Sequence, residues 1–328
     1  MFEFLRARRR ALVIATASAA VAALASCSGS DADKPALFST AAAIGASGTD
    51  TGNRCGFAAD PLCFPAPPYA GPSTATNGKL YPEIVAANYG ARLVASSAGG
   101  TNFGVGGAFT GVIPGDPVPV KIPTLQVQLE QYLQKSNYQI NPQTLFILDG
   151  SAFGNNIKHV LEVLPTIPDA DAQAKFVQGA VAQGAADIYA LVLRAYSAGS
   201  RHIVLVNSSD MGLHPIARGA GPQAAATATA MAMGYNGALA TQVVPQLRAT
   251  LSGLNLYLVD GGKLSQEIYA NPVAFGLSDS SAPCYPFFSA PTAPVCATPQ
   301  LYMWWDELHP SAGMHQIIAD SAIAAIGI

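Results

Sequence analysis

The stretch that decides the fold is TLFILDGSAFGNN at residues 144–156, where a short apolar run ends in Asp149 and gives way to a helical pattern. A second run, HIVLVN at 202–207, follows a long stretch over 171–197 whose apolar residues recur with helical spacing. A strand, a helix and a second strand in this order predict a right-handed βαβ unit. We therefore expect a parallel sheet that is covered by helices on both faces.

The same alternation extends toward both ends of the chain. The predicted strands are Leu37–Ile44, Arg92–Ala95, Thr144–Asp149, His202–Asn207 and Leu254–Asp260. The predicted helices are Leu80–Tyr89, Leu125–Gln134, Asn156–Leu164, Asp171–Ser197, Gln223–Leu251 and Ala312–Ile326. Because no Pro/Gly/Ser-rich linker interrupts this series, we expect residues 37–328 to form one domain. In such sheets ligands bind beyond the carboxyl ends of the strands.

Composition excludes several classes of protein. Of the 328 residues, 50% are hydrophobic and only 11% are charged, whereas roughly 25% are charged in an average soluble domain. This composition indicates a packed core rather than a disordered chain. The formal net charge is −3, and no run of Lys and Arg occurs beyond the N-terminus. A nucleic-acid partner is therefore not expected.

The N-terminal segment has the pattern of an export signal. Four arginines within residues 6–10 precede an uninterrupted small and apolar stretch over 11–25, which is shorter than the roughly 20 residues that a membrane span needs. The sequence LASC at 24–27 resembles the lipobox of bacterial lipoproteins. That resemblance implies a signal peptide over 1–26, lipidation of Cys27 and a tether over 27–36.

The lipobox resemblance also implies a location. A lipid on Cys27 would hold the exported protein at a membrane, and Ser28 after it favours the bacterial outer membrane, on the periplasmic or the cell-surface side. The alternative is an ordinary secretory signal with an incidental cysteine, in which case the protein is secreted.

The remaining cysteines are Cys55, Cys63, Cys284 and Cys296. An even number of cysteines in an oxidising compartment predicts two disulfides. Proximity in the sequence favours the pairs 55–63 and 284–296. A metal site is the weaker alternative, because neither pair has the C-x-x-C spacing of zinc sites.

Three segments that follow predicted strands carry residues suited to chemistry. Ser47 lies between glycines in GASG at 45–48, where a strand-to-helix turn would expose its hydroxyl beside backbone N–H groups. The glycines of GGTNFGVGGA at 99–108 would let the backbone approach a ligand closely. Asn155 and Asn156 add two amide groups at the same edge. Taken alone, the segments that contain Ser47 and Asn155 are better explained as an ordinary turn or helix cap.

A fourth segment, WWDELHP at 304–310, comes directly before the last predicted helix. Asp306 precedes His309 by three residues, so its carboxylate can accept a hydrogen bond from one ring nitrogen and leave the other free as a general base. Asp210 and His214 form a rival pair. We rank that pair lower because nothing else beside it indicates a proton relay.

Taken in order, these segments resemble the sequence blocks of one enzyme family. Residues 38–53 resemble the first block, which ends in F-G-D-S-L-S-D-T-G-N, and residues 102–108 resemble N-F-A-V-G-G-A. Residues 154–156 resemble G-N-D, and residues 305–312 resemble W-D-x-x-H-P-T-A. The chain is identified by this order as a member of the SGNH hydrolases, also called the GDSL lipase/esterase family, in its bacterial lipase-like branch.

The resemblance implies a fold and an activity. The fold is a flavodoxin-like three-layer α/β/α sandwich with a five-stranded parallel sheet. The implied activity is that of an esterase or lipase, including a lysophospholipase-like enzyme, that hydrolyses carboxylic esters. The implied substrate is a small-molecule or lipid ester. Neither a metal nor an organic cofactor is required.

The resemblance also assigns roles to single residues. Ser47 would be the nucleophile that forms an acyl-enzyme, His309 the general base and Asp306 the group that orients the imidazole. The oxyanion hole would consist of the backbone N–H groups of Ser47 and Gly107 and the side-chain amide of Asn155.

Three positions depart from the family pattern. Ala46 and Gly48 replace the usual Asp and Leu around the serine, and Asn156 replaces an Asp. These departures predict looser placement of Ser47, since small displacements of a nucleophile reduce rates strongly. They motivate an alternative, a catalytically weakened envelope lipoprotein that binds its ligand. Acyl transfer or deacetylation on the same scaffold is a further alternative. The loop 285–297 is expected to be either a flap that contacts substrate or a disulfide-stapled surface loop.

Overall fold

The computed structural model describes residues 38–57, 62–116 and 121–327. The predicted signal peptide, the tether and the lipidation site at Cys27 lie outside these residues.

The main sheet of the described residues has four parallel strands in the order β1-β2-β3-β4. The strands are β1 (Thr40–Ile44), β2 (Thr144–Asp149), β3 (His202–Val206) and β4 (Asn255–Val259). All four end at the same edge, because parallel strands with this register bring their carboxyl ends together. The edge that sequence analysis singled out for chemistry is therefore a single surface.

The predicted strand Arg92–Ala95 does not form, and the described sheet has four strands in place of the predicted five. Beside β1, where a fifth strand would lie, Asn102 forms an isolated parallel bridge to Ala43. Ala95 forms its own bridge to Asn102. The short run ends there because a 3₁₀ turn over Ser96–Ala98 follows at once. The predicted α/β class, with a parallel sheet between helical layers, is confirmed.

Nine α-helices accompany the strands within the described residues. They are α1 (Tyr81–Asn88), α2 (Leu125–Lys135), α3 (Phe153–Val163), α4 (Ala170–Ser197), α5 (Pro215–Gly219), α6 (Pro222–Ala238), α7 (Val244–Thr250), α8 (Gly261–Ala270) and α9 (Ala312–Ile326). The helix predicted over 223–251 is interrupted by a π-helical turn at Leu239–Val243. Pro245, the second residue after that turn, has no N–H to continue the α-helical ladder.

The sheet separates two apolar layers, because alternate residues of each strand point to opposite faces. On one face, Ala42, Phe146 and Ile203 belong to the larger core cluster, which includes residues of α2, α3, α4 and α6. On the other face, Ala43, Ile147 and Val204 pack with residues of α1 and α9. The helix α4 is long and apolar enough to cross a membrane, but its buried hydrophobic residues belong to the larger core cluster.

A second, two-stranded parallel sheet, which the sequence analysis did not predict, precedes α9. It consists of β5 (Asp279–Pro283) and β6 (Tyr302–Trp304). The segment from 305 to 311 connects β6 to α9 and contains Asp306 and His309. This small sheet therefore fixes one end of the segment that carries the predicted acid and base.

Both predicted disulfides are present. Cys55 is bonded to Cys63, and Cys284 is bonded to Cys296. The pairing by proximity is thus confirmed.

Candidate active site

Ser47 lies in a tight turn directly after β1. The backbone N–H groups of Thr49 and Asp50 both donate to the carbonyl oxygen of Ala46, over 3.0 and 3.1 Å. Gly45 is required at the start of the turn, since a Cβ there would lie 2.3 Å from Thr49 Oγ1 and 2.5 Å from Asp149 Cβ. The turn leaves Ser47 partly exposed, whereas Thr49 and Asp50 are fully buried.

Asp149, at the end of β2, holds this turn. Its Oδ2 accepts a hydrogen bond from Thr49 Oγ1 over 2.6 Å, and the backbone N–H of Ala46 also donates to its carboxylate. Its Oδ1 accepts from the backbone N–H and the hydroxyl of Ser151, over 3.2 and 2.5 Å. Complete burial raises the pKa of Asp149, and these donors oppose the rise by stabilising the charged form. A carboxylate from the neighbouring strand thus supports the nucleophile turn.

This arrangement bears on the two departures beside Ser47. Ala46 is buried in the core cluster, and its N–H is anchored by Asp149. A Cβ at Gly48 would lie 3.3 Å from Asp149 Oδ2, so the glycine leaves room for the carboxylate. The looser placement that the sequence predicts for this turn is therefore opposed by contacts that join positions far apart in the chain.

Asp50 links the same turn to the glycine-rich segment. Its carboxylate accepts backbone N–H groups from Gly52, Asn53 and Arg54 over 2.7–3.0 Å, and from Gly106 over 2.8 Å. Burial raises the pKa of Asp50, while these four donors lower it. The N–H of Gly106 is therefore engaged within the fold.

Gly107 differs from its neighbour. Its φ is +83°, the left-handed region that favours glycine. Within the described ranges, no acceptor for its backbone N–H is found. The N–H of Gly106 is thus bonded to Asp50, whereas the N–H of Gly107 is available to a ligand.

Asn155 and Asn156 lie in the first turn of α3 with different partners. Asn155 donates one amide hydrogen to the carbonyl of Ala108 over 2.9 Å, which fixes the amide and leaves its second hydrogen for a ligand. Asn156 is buried, accepts from Thr110 N–H over 3.1 Å and contacts Thr110 Oγ1 at 3.3 Å. At the position of the usual Asp, Asn156 therefore tethers the segment after the glycine-rich loop.

The D-x-x-H turn forms as the sequence predicts. His309 Nδ1 lies 2.8 Å from Asp306 Oδ2 and 3.0 Å from Oδ1. Asp306 Oδ1 also accepts the backbone N–H groups of Leu308 and His309, over 2.8 and 2.7 Å. The ring is therefore held with Nδ1 toward the carboxylate, which leaves Nε2 as the nitrogen available for proton transfer.

Tyr69 completes the surroundings of Asp306. Its hydroxyl donates to Asp306 Oδ2 over 2.6 Å. Burial and the nearby negative charge of Asp306 raise the pKa of Tyr69, so the phenol stays protonated and remains a donor. Asp306 is completely buried, and donors surround it on both oxygens.

Aromatic residues from two segments surround the imidazole of His309. Phe64, directly after Cys63, meets the ring edge-on with centroids 5.7 Å apart, and Phe288 of the loop 285–297 lies at 6.2 Å. Phe287 contacts Phe64 and Tyr69, which joins the two segments. Only 6% of His309 is exposed, so these aromatic residues help to shield the histidine from bulk water.

The rival pair Asp210 and His214 does not come together as a hydrogen-bonded pair. Asp210 accepts from Gly212 N–H and Thr229 Oγ1 instead. His214 Nδ1 lies 2.9 Å from the carbonyl oxygen of Leu308, and its Nε2 lies 2.8 Å from Ser209 Oγ. Because the carbonyl can only accept, Nδ1 carries the proton and Nε2 accepts from Ser209.

His214 therefore supports the D-x-x-H turn, a role that sequence reasoning missed. Its hydrogen bond to Leu308 holds the residue directly before His309. Burial lowers the pKa of His214 to about 4, so the ring is neutral at physiological pH. No local signal in the sequence could have shown this contact, because it joins positions 94 residues apart.

Two cavities meet at the predicted catalytic residues. Ser47, Asn155 and His309 line both of them. The Met cavity, named for Met211, Met303 and Met314, has a volume of about 90 Å³. The Phe cavity, named for Phe64, Phe109 and Phe288, has a volume of about 280 Å³ and is also lined by Gly107. In the part of the chain that the structure describes, no group of three His, Cys, Asp or Glu residues could hold a metal ion.

The chain is similar to known proteins. A family model described as GDSL-like Lipase/Acylhydrolase matches residues 42–322. One GDSL esterase/lipase of Arabidopsis thaliana is 29% identical over 136 residues, which are 39% of this chain and 38% of that protein. Another from the same plant is 31% identical over 133 residues, covering 40% and 38%. These alignments span less than half of the length of the curated relatives.

Proposed function

The chain belongs to the GDSL-like lipase/acylhydrolase family, and from that premise we propose that it hydrolyses carboxylic esters through an acyl-enzyme on Ser47. The observation that carries the proposal is the convergence of Ser47, Asn155 and His309 on the same two cavities. His309 is bonded there to a fully buried carboxylate. This arrangement provides a nucleophile, a base and an oxyanion donor around one reaction site.

In the first half of the reaction, Ser47 Oγ attacks the ester carbonyl carbon while His309 Nε2 takes the hydroxyl proton. The carbonyl oxygen becomes an oxyanion. Its donors are the N–H groups of Ser47 and Gly107 and the second amide hydrogen of Asn155. The engagement of the Gly106 N–H by Asp50 supports Gly107 as the donor from this loop.

The intermediate collapses when the bond to the leaving alcohol breaks and His309 gives its proton to that alcohol. Water then attacks the acyl-enzyme, with His309 as base again, and releases the acid and free Ser47. Asp306 stabilises the imidazolium that forms in both halves. Its burial strengthens this effect, because the attraction between two charges increases where water is excluded.

The walls of the Phe cavity support an ester with an apolar portion. Leu62 and Phe288 line it and are 42% and 48% exposed. Phe287 instead packs against Phe64, Tyr69 and Tyr285. Of the two phenylalanines in the loop 285–297, Phe288 is thus placed to touch substrate. An acyl lipid, including a lysophospholipid, is a substrate class that fits this wall.

We also propose that the protein is exported in a bacterium and held at a membrane by a lipid on Cys27. The disulfides Cys55–Cys63 and Cys284–Cys296 support an oxidising compartment. The lipobox pattern at 24–27 supports the anchor. Globomycin, which blocks lipoprotein signal peptidase, should cause the precursor to accumulate. Normal processing of wild type in its presence, or identical membrane retention of a Cys27→Ala variant, would contradict the anchor.

The activity is tested by hydrolysis of p-nitrophenyl esters from acetate to palmitate by the purified protein. Wild type should turn over at least part of the series, and Ser47→Ala and His309→Ala should each reduce kcat by several orders of magnitude. The profile across chain lengths distinguishes an esterase from a lipase.

A matched control is Ser289→Ala, a serine of the loop 285–297 whose hydroxyl donates to Glu307 rather than facing either cavity. It should retain turnover. Equal activity of the Ser47→Ala variant and wild type would contradict the proposal, as would a folded wild-type protein that cleaves no ester.

A further inference from the structure

The Met cavity contains polar groups that the mechanism above does not use. Besides Ser47, Asn155 and His309, its lining includes His315, Ser209 and His214. His315 belongs to α9, and Ser209 and His214 follow β3. Two of these groups can bind a ligand.

His315 presents a hydrogen-bond donor without a partner. Its Nδ1 accepts the backbone N–H of Tyr81 over 3.3 Å. Burial lowers the pKa of His315 to about 3, so the ring is neutral and its single proton lies on Nε2. That atom is buried and has no hydrogen-bond partner among the described residues. A buried unpaired donor is unfavourable, so an acceptor atom of a ligand would stabilise it.

Ser209 presents an acceptor. Its hydroxyl hydrogen is donated to His214 Nε2, because the other ring nitrogen of His214 carries the proton that binds the carbonyl of Leu308. Because this hydrogen is bonded to His214, the lone pairs of Ser209 Oγ can accept a hydrogen bond from a donor in the cavity. The cavity thus offers one donor and one acceptor, which are the complements of a hydroxyl group.

The other polar lining groups lie beside partners of their own: Ser151 is bonded to Asp149, Asn207 is bonded to Asp260 and Gly262, and the Tyr81 hydroxyl interacts with Thr49 and Asp149. The cavity volume is small. The apolar lining residues include Val206, Met211, Met303, Trp304, Met314 and Ile318. A volume of about 90 Å³ holds on the order of six water-sized atoms, since each needs about 10–15 Å³. The charged side chains Arg54, Lys158 and Glu162 line the Phe cavity instead. A short hydrocarbon chain therefore fits the Met cavity better than a charged alcohol does.

Building on the proposed function, we infer that the Met cavity is an acyl-binding site for short acyl chains that carry a hydroxyl group. The hydroxyl oxygen accepts from His315 Nε2, or its hydrogen is donated to Ser209 Oγ, while the carbons contact the methionines. The reaction is unchanged: the ester bond breaks at Ser47, and water yields the hydroxy acid and the alcohol. Among the short acyl chains that this cavity can hold, those with a hydroxyl group are preferred to plain ones.

The test compares p-nitrophenyl butyrate with each enantiomer of p-nitrophenyl 3-hydroxybutyrate. The two acids differ only by the hydroxyl. In the wild-type protein, kcat/KM should be about three- to tenfold higher for one hydroxybutyrate enantiomer than for butyrate, the factor expected for one buried hydrogen bond.

Three variants locate the effect. His315→Asn keeps an acceptor for Tyr81 N–H but has no group at the place of Nε2, and Ser209→Ala removes the acceptor. At least one of them should bring the ratio of the two kcat/KM values close to one. Met303→Leu is the matched control, because it changes the same wall with little change in volume and no change in polarity. It should keep the wild-type ratio.

The outcomes separate this inference from the proposed function. No turnover of either ester by folded protein would contradict the proposed function itself. Turnover of butyrate with a wild-type ratio of one or below would refute the hydroxyacyl site alone, as would a ratio that both His315→Asn and Ser209→Ala leave intact.

Discussion

Thr49→Val removes the hydroxyl that binds Asp149 and keeps the shape of the side chain. Thr49 Oγ1 and Asp149 Oδ2 lie 2.6 Å apart, and both residues have no exposed surface. The variant leaves a buried carboxylate with one donor fewer. We expect the pKa of Asp149 to rise further, since this donor stabilises the charged form.

The magnitude follows from the character of the bond. A buried hydrogen bond to a charged group contributes about 1.5–3 kcal/mol to the free energy of unfolding. The lost contact also releases the turn that carries Ser47. A displacement of about 1 Å can reduce the rate by about a hundredfold. We therefore expect kcat for p-nitrophenyl butyrate to fall about ten- to a hundredfold, with a smaller change in KM.

The matched control is Thr40→Val. Thr40 Oγ1 and Thr144 Oγ1 lie 2.9 Å apart at the opposite ends of the same two strands. This bond joins two neutral groups, so its loss should lower the free energy of unfolding by about 0.5–1.5 kcal/mol. Because it lies at the amino ends of β1 and β2, kcat should stay at the wild-type value.

The assay measures urea unfolding and steady-state kinetics on wild type and both variants. We expect Thr49→Val to lose more activity than its lower stability explains, whereas Thr40→Val should lose stability alone. Wild-type kcat in folded Thr49→Val, or an equal loss of kcat in both variants, would refute the assignment of Asp149 as the anchor of the nucleophile turn.

Three further predictions concern other contacts. Tyr69→Phe should lower kcat about tenfold, because Asp306 loses a short donor; unchanged kinetics would show that the phenol has no part in orienting the pair. Gly107→Ala should lower the free energy of unfolding by about 1–2 kcal/mol and reduce kcat. Gly253, with a similar φ of +72°, provides the control, because Gly253→Ala should lower the free energy of unfolding equally and leave kcat unchanged. The pKa of His214 is lowered from 6.5 to about 4 in the folded protein, so the unfolded chain binds this proton first as the pH falls. The free energy of unfolding should therefore decrease between pH 6.5 and pH 4 by about 3 kcal/mol more in wild type than in His214→Gln. Parallel pH profiles of the two proteins would contradict that assignment.

The positions of the predicted catalytic residues follow from simple features of the sequence. Ser47 and Asn155 each come shortly after an apolar run, and parallel strands bring such positions to one edge. Asp306 and His309 are close in the chain, so their pairing depends only on a local turn. These are the parts of a site that periodicity and spacing can predict.

The supporting contacts could not be predicted in the same way. Asp149 reaches Thr49 across 100 positions, so its role depends on strand order and register. The strands β5 and β6 are short, and neither has an alternating pattern long enough to be recognised. The Arg92–Ala95 run looked like a strand by composition, yet a turn ends it after a single bridge. Each of these features depends on tertiary contacts rather than on the local sequence pattern.

Labelling with a fluorophosphonate probe, followed by peptide mapping, identifies the nucleophile directly. The Met cavity holds two serine–histidine combinations, Ser47 with His309 and Ser209 with His214, so the labelled residue discriminates between them. We expect a covalent adduct on Ser47, which Ser47→Ala abolishes and His309→Ala slows strongly. An adduct on Ser209, or a folded protein that the probe does not modify, would contradict the assignment of Ser47 as the nucleophile.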